Sequence, residues 1–244
     1  MKYNASVSDF FKSPKWGMNI LLGAITILIP IIGQLVLTGW HITGFWGRCD
    51  GDDDPAKFPP FDFQFFVPYL ERGLWPFLVQ LVSSFIMMPV MLVMVIPLLL
   101  LPDARNAHHD LTSSTIFGVV FIGAFCLQAL LMTIYSFVII PLVLRATILQ
   151  DFAKAFDFRF VKNFLARVWP EMLASLIFMF SLSLCLMVFA VITCYIGALF
   201  AAPVVIYSWH HLQQQLYQVY LSRGGEPLPL SPKLQALPPL MTAG

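Results

Sequence analysis

The stretch FDFRFVKNFLARVWP, residues 156–170, decides the fold because it places a basic segment between two long apolar blocks. An earlier copy, FDFQFFVPYLERGLWP, covers residues 61–76. In the later copy Phe156, Phe160 and Phe164 recur every four positions, which puts their rings on one face of a helix. Each copy is therefore predicted to be an amphipathic segment at a membrane surface that leads into a spanning helix. The pairs that the two copies share are Phe61 and Phe156, Asp62 and Asp157, Phe63 and Phe158, Phe65 and Phe160, Leu70 and Leu165, Arg72 and Arg167, Trp75 and Trp169, and Pro76 and Pro170.

Composition indicates an integral membrane protein. Of the 244 residues, 59% are hydrophobic and 11% are charged, whereas a soluble domain has roughly 25% charged residues. The net charge of +1 gives no reason to expect nucleic acid as a partner. The four cysteines form no C-x-x-C pair and no metal-binding spacing with histidine. We therefore expect neither a metal ion nor a cofactor.

Five apolar blocks predict an all-α, polytopic helix bundle in a membrane domain at residues 19–221, because a bilayer core needs about 20 helical residues. An amphipathic segment, residues 1–18, precedes this domain, and a proline-rich tail, residues 222–244, follows it. Without a binding partner, such a tail is expected to be extended and mobile. The last two blocks form one long apolar run, and a tight turn is predicted near residues 193–197. The blocks are residues 19–46, 74–101, 116–144, 169–192 and 195–221.

The first block contains a predicted helix break. Pro30 lacks the backbone donor that a helix uses, and Gly33 lowers helix propensity three residues later. The block is therefore either one kinked span or two half-helices that enter and leave the membrane on the same side.

The distribution of lysine and arginine favours the second alternative, because short cytoplasmic loops carry the excess of positive charge. With a re-entrant first block and four full spans, 13 of these residues lie inside and 1 lies outside. Five spans with the N-terminus outside place 10 inside and 4 outside, and this model remains the alternative. We expect an integral protein of a prokaryotic inner (cytoplasmic) membrane, with both termini in the cytoplasm.

The segment LIPIIGQLVLTGW, the acidic loop DGDDDP, FPPFDF and the helix start GLWP carry a family resemblance. Together they resemble an uncharacterised family of prokaryotic membrane proteins, a domain of unknown function. That family is similar in pattern to the membrane domains of glycerophosphodiester phosphodiesterases. The resemblance implies a polytopic helical fold and no established activity, because its glycines, prolines and aromatic residues specify backbone shape.

Few residues in the sequence are candidates for catalysis or for binding an ion or a cofactor. No ionisable residue lies in the middle of an apolar block, which argues against an ion-coupled transporter. A haem could bind only between His41 and either His210 or His211; interfacial histidines are the preferred interpretation. Asp50, Asp52 and Asp54 occupy the first three ligand positions of a calcium loop, whereas later positions carry the wrong residues. We expect no enzymatic activity, since no catalytic constellation is visible.

The sequence thus predicts a non-enzymatic scaffold or accessory subunit of a membrane complex, with lipid or small apolar molecule binding or transport as the alternative. A membrane-embedded cofactor carrier or enzyme is the second alternative. Protein partners are expected to bind the tail and the two basic amphipathic segments, and membrane lipids the basic and indole side chains. The predicted lipid-contact residues are Lys154, Arg159, Lys162, Arg167, Trp75 and Trp169, and the predicted helix break is at Pro30 and Gly33.

Overall fold

The computed structural model describes residues 1–47, 54–100 and 111–235, with side chains described except at 90, 93–100, 111–117 and 235. Within these residues the chain is helical and has no strand. Two compact units are present, Met1–Val79 with Ile140–Gly244, and Gln80–Ile139. The helices are α1 (Tyr3–Ser8), α2 (Trp16–Ile27), α3 (Ile32–Trp46), α4 (Phe66–Leu100), α5 (Leu111–Leu149), α6 (Phe152–Ala155), α7 (Phe158–Ile192), α8 (Ile196–Ser222) and α9 (Pro232–Gln235).

The two repeated segments are the first turns of long helices rather than separate surface helices. Both α4 and α7 have 35 residues. Helix α7 begins directly after Asp157, whereas Asp62 caps a 3-10 turn, Phe63–Phe65, that leads into α4 at Phe66. The Asp62 carboxylate accepts the N–H of Gln64 at 2.9 Å, and the Asp157 carboxylate accepts the N–H of Arg159 at 3.0 Å. These bonds satisfy amide groups that have no partner within the helix. The repeated aspartate therefore sets where each helix starts.

The first apolar block folds as a helical hairpin. Helices α2 and α3 are separated by residues 28–31, where Pro30 lies and where Ile31 has a φ of 63°. Gly33 stands so close to the Thr26 carbonyl that a Cβ atom would clash with it. The hairpin tip is apolar and outward-facing, with Leu28 60% exposed.

Helix α3 crosses α4 with backbone against backbone. A Cβ atom at Gly39 would collide with the Tyr69 carbonyl, and one at Gly73 would collide with the Leu35 carbonyl. This close approach buries an aromatic core between α3, α8 and the loop that follows α3. The core consists of Phe10, Val36, Leu37, Trp40, Phe45, Phe58, Phe61, Tyr69, Val204 and Tyr207.

Helices α7 and α8 form an antiparallel hairpin. They are joined by a turn at residues 193–195, inside the predicted range, where the Thr193 hydroxyl accepts the N–H of Gly197 at 3.0 Å. At the other end of the hairpin, Arg223 donates to the Glu171 carboxylate at 3.0 Å. Helix α8 therefore returns to the level at which the apolar part of α7 begins.

The described part of the tail is bound by its own chain, contrary to the expectation of a mobile tail. Leu234 is fully buried, and the Ser231 N–H donates to the Ile148 carbonyl at 3.0 Å. Arg72 donates to the Lys233 carbonyl at 3.0 Å. The tail thus ties the ends of α4 and α5 to α8, and residues 236–244 lie outside the described part.

Two helical segments, Gly118–Leu149 and Phe158–Ile192, are long and apolar enough to cross a membrane. The prediction of four full spans is not supported by this finding. In α8 only residues 196–207 are continuously apolar, which corresponds to about 18 Å of helix. For α4, the side chains at 93–100 lie outside the described set.

Candidate functional site

A groove of about 440 Å³ lies between α1 and α8 in the first unit. This volume falls within the roughly 300–1,000 Å³ typical of ligand sites. Phe45 and Tyr207 contribute aromatic rings to its wall. Its polar lining comprises Lys2, Asp9, His211, Gln214, Gln215, Gln218 and Ser222.

Hydrogen bonds hold α1 against α8 and so shape the groove. The backbone N–H of Lys2 donates to the Gln215 side-chain oxygen at 2.7 Å, and the Gln215 amide donates back to the Lys2 carbonyl at 3.3 Å. Gln214 donates to the Phe45 carbonyl at 3.2 Å, which fixes α8 to α3. The Asp9 carboxylate is paired with Lys12 at 2.6 Å. The lining therefore offers several hydrogen-bonding groups.

Contacts with α7 show where along that helix the groove lies. Ser175 of α7 donates to the sulfur of Met1, a lining residue, and the Tyr3 ring packs 5.6 Å from that of Phe178. The outward residue Phe180 is 69% exposed, whereas Trp169 is exposed near the ion pair at the polar end of the hairpin. Ser175 is six residues beyond Trp169, or about 9 Å along the helix. The Met1 end of the groove therefore lies about 9 Å along α7 from this indole, toward the apolar part of the helix.

Two predicted haem ligands, His41 and His210, lie together behind the groove wall, with ring centres 5.8 Å apart. Trp40 and Tyr207 contact the His41 ring at 4.4 Å and 5.8 Å. This packing leaves no room for a porphyrin, so these residues do not fit haem. Among the residues that the structure describes, no group of three or more histidine, cysteine or acidic residues could hold a metal ion. Asp50 and Asp52 of the calcium-loop pattern lie outside those residues.

The predicted lipid-contact residues of α7 divide into two groups. Arg159 and Lys162 are exposed on its outer face, as is Trp169. Arg167 instead donates to the Arg223 carbonyl at 3.2 Å. Its guanidinium also lies over the Tyr220 ring.

The other two predicted lipid-contact residues have partners within the chain. Lys154 precedes α7 and pairs with Asp151 at 3.3 Å, where its backbone N–H and its ammonium hold the pKa of that carboxyl below its usual value. Trp75 is half-buried, with the Lys233 ammonium 5.9 Å from its ring centre. This indole therefore contacts the tail.

Arg72 is a buried cation whose role the sequence did not reveal. It donates to the Thr43 hydroxyl at 2.7 Å as well as to the tail, and burial lowers its pKa. The groove was missed too, because its residues come from both ends of the chain. One signal was present in the sequence: the run Gln213–Gln215 interrupts the amphipathic end of α8.

In the part of the chain that the structure describes, these features define an all-helical protein with two helices of membrane-spanning length and a polar groove beside one of them. A family model described as a protein of unknown function (DUF4013) matches residues 22–195, so the chain belongs to this family. The predicted membership of an uncharacterised family is confirmed, whereas the likeness to phosphodiesterase membrane domains is not shown. No curated protein and no solved structure matches the chain. Helices α1 and α8 both fall outside the matched residues.

Proposed function

We propose that this chain is a non-enzymatic integral membrane protein that binds the headgroup of a lipid in the groove between α1 and α8. The observation that carries the proposal is the position of a polar groove at the level of Ser175 and Phe178, where the outward face of α7 is already apolar. A lipid at this level would place its headgroup among hydrogen-bonding side chains. Its acyl chains would lie along exposed residues such as Ile177 and Phe180.

The membrane arrangement that fits this proposal has α5 and α7 as crossing helices. Helix α8 would cross the same thickness, since it returns to Arg223 opposite Glu171. Its polar residues His210 and Gln213 are buried within the protein rather than facing lipid, which explains why its hydropathy is modest. Helix α4 completes the proposed four-span arrangement.

The α2–α3 hairpin would re-enter the membrane. Its arms have 12 and 15 residues, or about 18 Å and 22 Å, so neither reaches across a core of about 30 Å. Trp16 and Trp46 lie at its base, and the exposed Leu28 and Ile31 lie at its tip. Indoles concentrate at membrane interfaces and apolar residues in the hydrocarbon, so this distribution favours insertion by the tip.

Filling the groove tests the lipid proposal. Ala5 lines it, so Ala5→Trp should reduce the lipid that remains bound after detergent purification by about tenfold, as measured by native mass spectrometry. Asn4→Trp is the matched control because Asn4 is exposed and does not line the groove. Equal lipid retention in the two variants would contradict the proposal.

The exposed cations Arg159 and Lys162 are proposed to favour anionic lipids, since each basic residue near such a surface contributes about 1 kcal/mol. The double variant Arg159→Gln with Lys162→Gln should therefore weaken the preference for anionic over neutral nanodiscs. Glu171 and Arg223 stay unchanged in it, so the fold should be retained. An unchanged preference would remove this part of the proposal.

A scaffold or accessory-subunit role is a second proposal. It is favoured by the surface of α5 in the second unit, where a Cβ atom at Gly118 or Gly123 would meet nothing within 4 Å while Ile122 is exposed. Small residues of this kind let another helix approach closely. Recovery of a membrane partner by crosslinking from position 122 in native membranes would support this role. Crosslinks to lipid alone would contradict it.

A further inference from the structure

Two side chains of opposite charge line the groove from the α1 side. Lys2 directly precedes the first turn of α1 and Asp9 directly follows the last one, and both residues line the groove. Seven residues separate them, which corresponds to about 10 Å along a helix. The same wall of the groove therefore presents one cation and one anion to a bound molecule.

The anion, Asp9, keeps an oxygen for a ligand although it has a partner. The residue is only 7% exposed, and its Oδ1 atom pairs with Lys12 at 2.6 Å. The Lys12 side chain itself is 59% exposed. Since an ionised carboxylate has about four acceptor sites on its two oxygens, Oδ2 can still accept hydrogen bonds. A largely buried carboxylate in a groove wall favours a positively charged donor, because such hydrogen bonds are stronger than neutral ones.

The cation, Lys2, is fixed in position by its backbone while its side chain stays exposed. Its N–H donates to the Gln215 side-chain oxygen at 2.7 Å, and its carbonyl accepts from the Gln215 amide at 3.3 Å. Among the residues that the structure describes, no carboxylate forms an ion pair with the Lys2 ammonium. A lysine ammonium is a compact charge with three donors and binds phosphate well.

The two charges together select among lipid headgroups. A headgroup that carries a phosphate and a primary ammonium can pair with both Lys2 and Asp9. A headgroup with a phosphate and no cation brings negative charge to a groove that already contains a carboxylate. A quaternary ammonium has the right charge, but it has no N–H to donate to Asp9.

We propose that the groove between α1 and α8 is specific for a phosphoethanolamine headgroup, with the phosphate at Lys2 and the primary ammonium at Asp9. This inference rests on the proposed lipid function and adds the class of lipid to it. The acyl chains leave the groove along α7, as in the proposed function.

The test compares three lipids with identical acyl chains. The full chain in detergent is mixed with equal amounts of phosphatidylethanolamine, phosphatidylcholine and phosphatidylglycerol, and the bound lipids are counted by native mass spectrometry. The wild type should retain phosphatidylethanolamine about tenfold over each of the others, since one hydrogen bond to a charged group is worth about this factor. Soluble glycerophosphoethanolamine at the same concentration should not displace the lipid.

Two variants separate ligand binding by Asp9 from a merely structural ion pair. Asp9→Asn and Lys12→Gln both break the pair between these residues, but only Asp9→Asn removes the negative charge from the groove. Asp9→Asn should therefore abolish the preference for phosphatidylethanolamine, whereas Lys12→Gln should keep it. Lys2→Gln should lower the retention of all three lipids, because each of them carries the phosphate.

Each result bears on the inference or on the function beneath it. Wild-type retention of phosphatidylcholine or phosphatidylglycerol at the level of phosphatidylethanolamine would overturn the inference, as would an equal loss of preference in Asp9→Asn and Lys12→Gln. The proposed lipid function would still stand if Ala5→Trp lowered total lipid. Equal total lipid in the wild type and in Ala5→Trp would contradict that function and the inference with it. Displacement by soluble glycerophosphoethanolamine would identify a soluble ligand and would also overturn the inference.

Discussion

The two repeated segments share eight residues, but the protein buries different positions in the two copies. In the first copy Tyr69 is fully buried and Arg72 is 6% exposed, because α3 crosses α4 at Gly39 and Gly73. In the second copy α8 covers one face of α7, and Trp169 on another face is 55% exposed. A repeat in sequence therefore predicts the same local structure and does not predict the same surroundings.

In both copies the same two side chains, an aspartate and an arginine, make equivalent hydrogen bonds. Asp62 and Asp157 each accept a backbone N–H at the start of a helix. Arg72 and Arg167 each donate to a carbonyl of the tail, at Lys233 and at Arg223 respectively. The repeat thus provides two equivalent attachment points for the tail, one inside the protein and one at its surface.

The largest loss of stability should come from substituting Gly39, the glycine at which α3 approaches the first copy closely. Gly39→Ala places a Cβ atom against the Tyr69 carbonyl, so the helices must separate, and we expect a loss of about 3 kcal/mol or more of unfolding free energy. Gly118→Ala is the control, since nothing lies within 4 Å of its Cβ position. Denaturant unfolding in detergent measures both. Equal stability of the two variants would mean that the α3–α4 crossing is not close.

The second-largest effect should be the difference in stability loss between substitutions of Arg72 and of Arg167. Arg72→Met removes one buried and one half-buried hydrogen bond from a charged group and should cost about 2–3 kcal/mol. Arg167→Met should cost less than about 1 kcal/mol, because its hydrogen bond to the tail is solvent-exposed. Limited proteolysis between residues 224 and 231 provides a second measurement, and Arg72→Met should be cut faster. Equal cutting of both variants would contradict the difference in enclosure.

The capping aspartates should have smaller effects. Asp62→Ala and Asp157→Ala should each cost about 1 kcal/mol of stability. Asp157 should cost slightly more, because it also pairs with Arg145 at 3.0 Å. Unfolding of the single variants and of Arg145→Met combined with Asp157→Ala separates the two contributions. A larger loss in Asp62→Ala would reverse the expected order.

The smallest effect concerns pH and Asp151, which precedes the second copy. Its pKa is lowered in the folded chain by the Lys154 N–H and ammonium. The stabilisation is therefore complete above its unfolded pKa of about 4 and is lost as the pH falls through the lower folded value. Asp151→Asn should reduce the pH dependence of the melting temperature in that window. An unchanged profile would mean that Lys154 does not hold this carboxylate.

The spacing of apolar residues and the positions of helix-breaking residues in the sequence predicted much of the fold. Among the described residues the long helices lie within or across the predicted apolar blocks, residues 28–31 with Pro30 separate α2 from α3, and the last turn lies at residues 193–195. These features depend on neighbouring residues, which is why they can be read from a single chain.

The remaining features depend on contacts between distant residues. Leu234 is buried against the body of the chain, although proline-rich composition predicts a mobile tail. Gly39 meets Tyr69 thirty residues later, and the groove joins Lys2 to Gln215. The polar residues of α8, such as His210 and Gln213, are buried within the protein, which hydropathy alone does not reveal. The glycines and aromatic residues of the family resemblance were expected to specify backbone shape, and in the structure they form the α3–α4 crossing and the core beneath it.

The most direct test of the account is to ask what occupies the groove in a native membrane. A photoreactive benzoylphenylalanine at Gln218, a lining residue, would be irradiated in intact membranes and its peptide analysed by mass spectrometry. The account predicts a lipid adduct that disappears when the Ala5→Trp substitution is added. A lipid adduct of equal yield in both backgrounds, or crosslinks to protein alone, would contradict it.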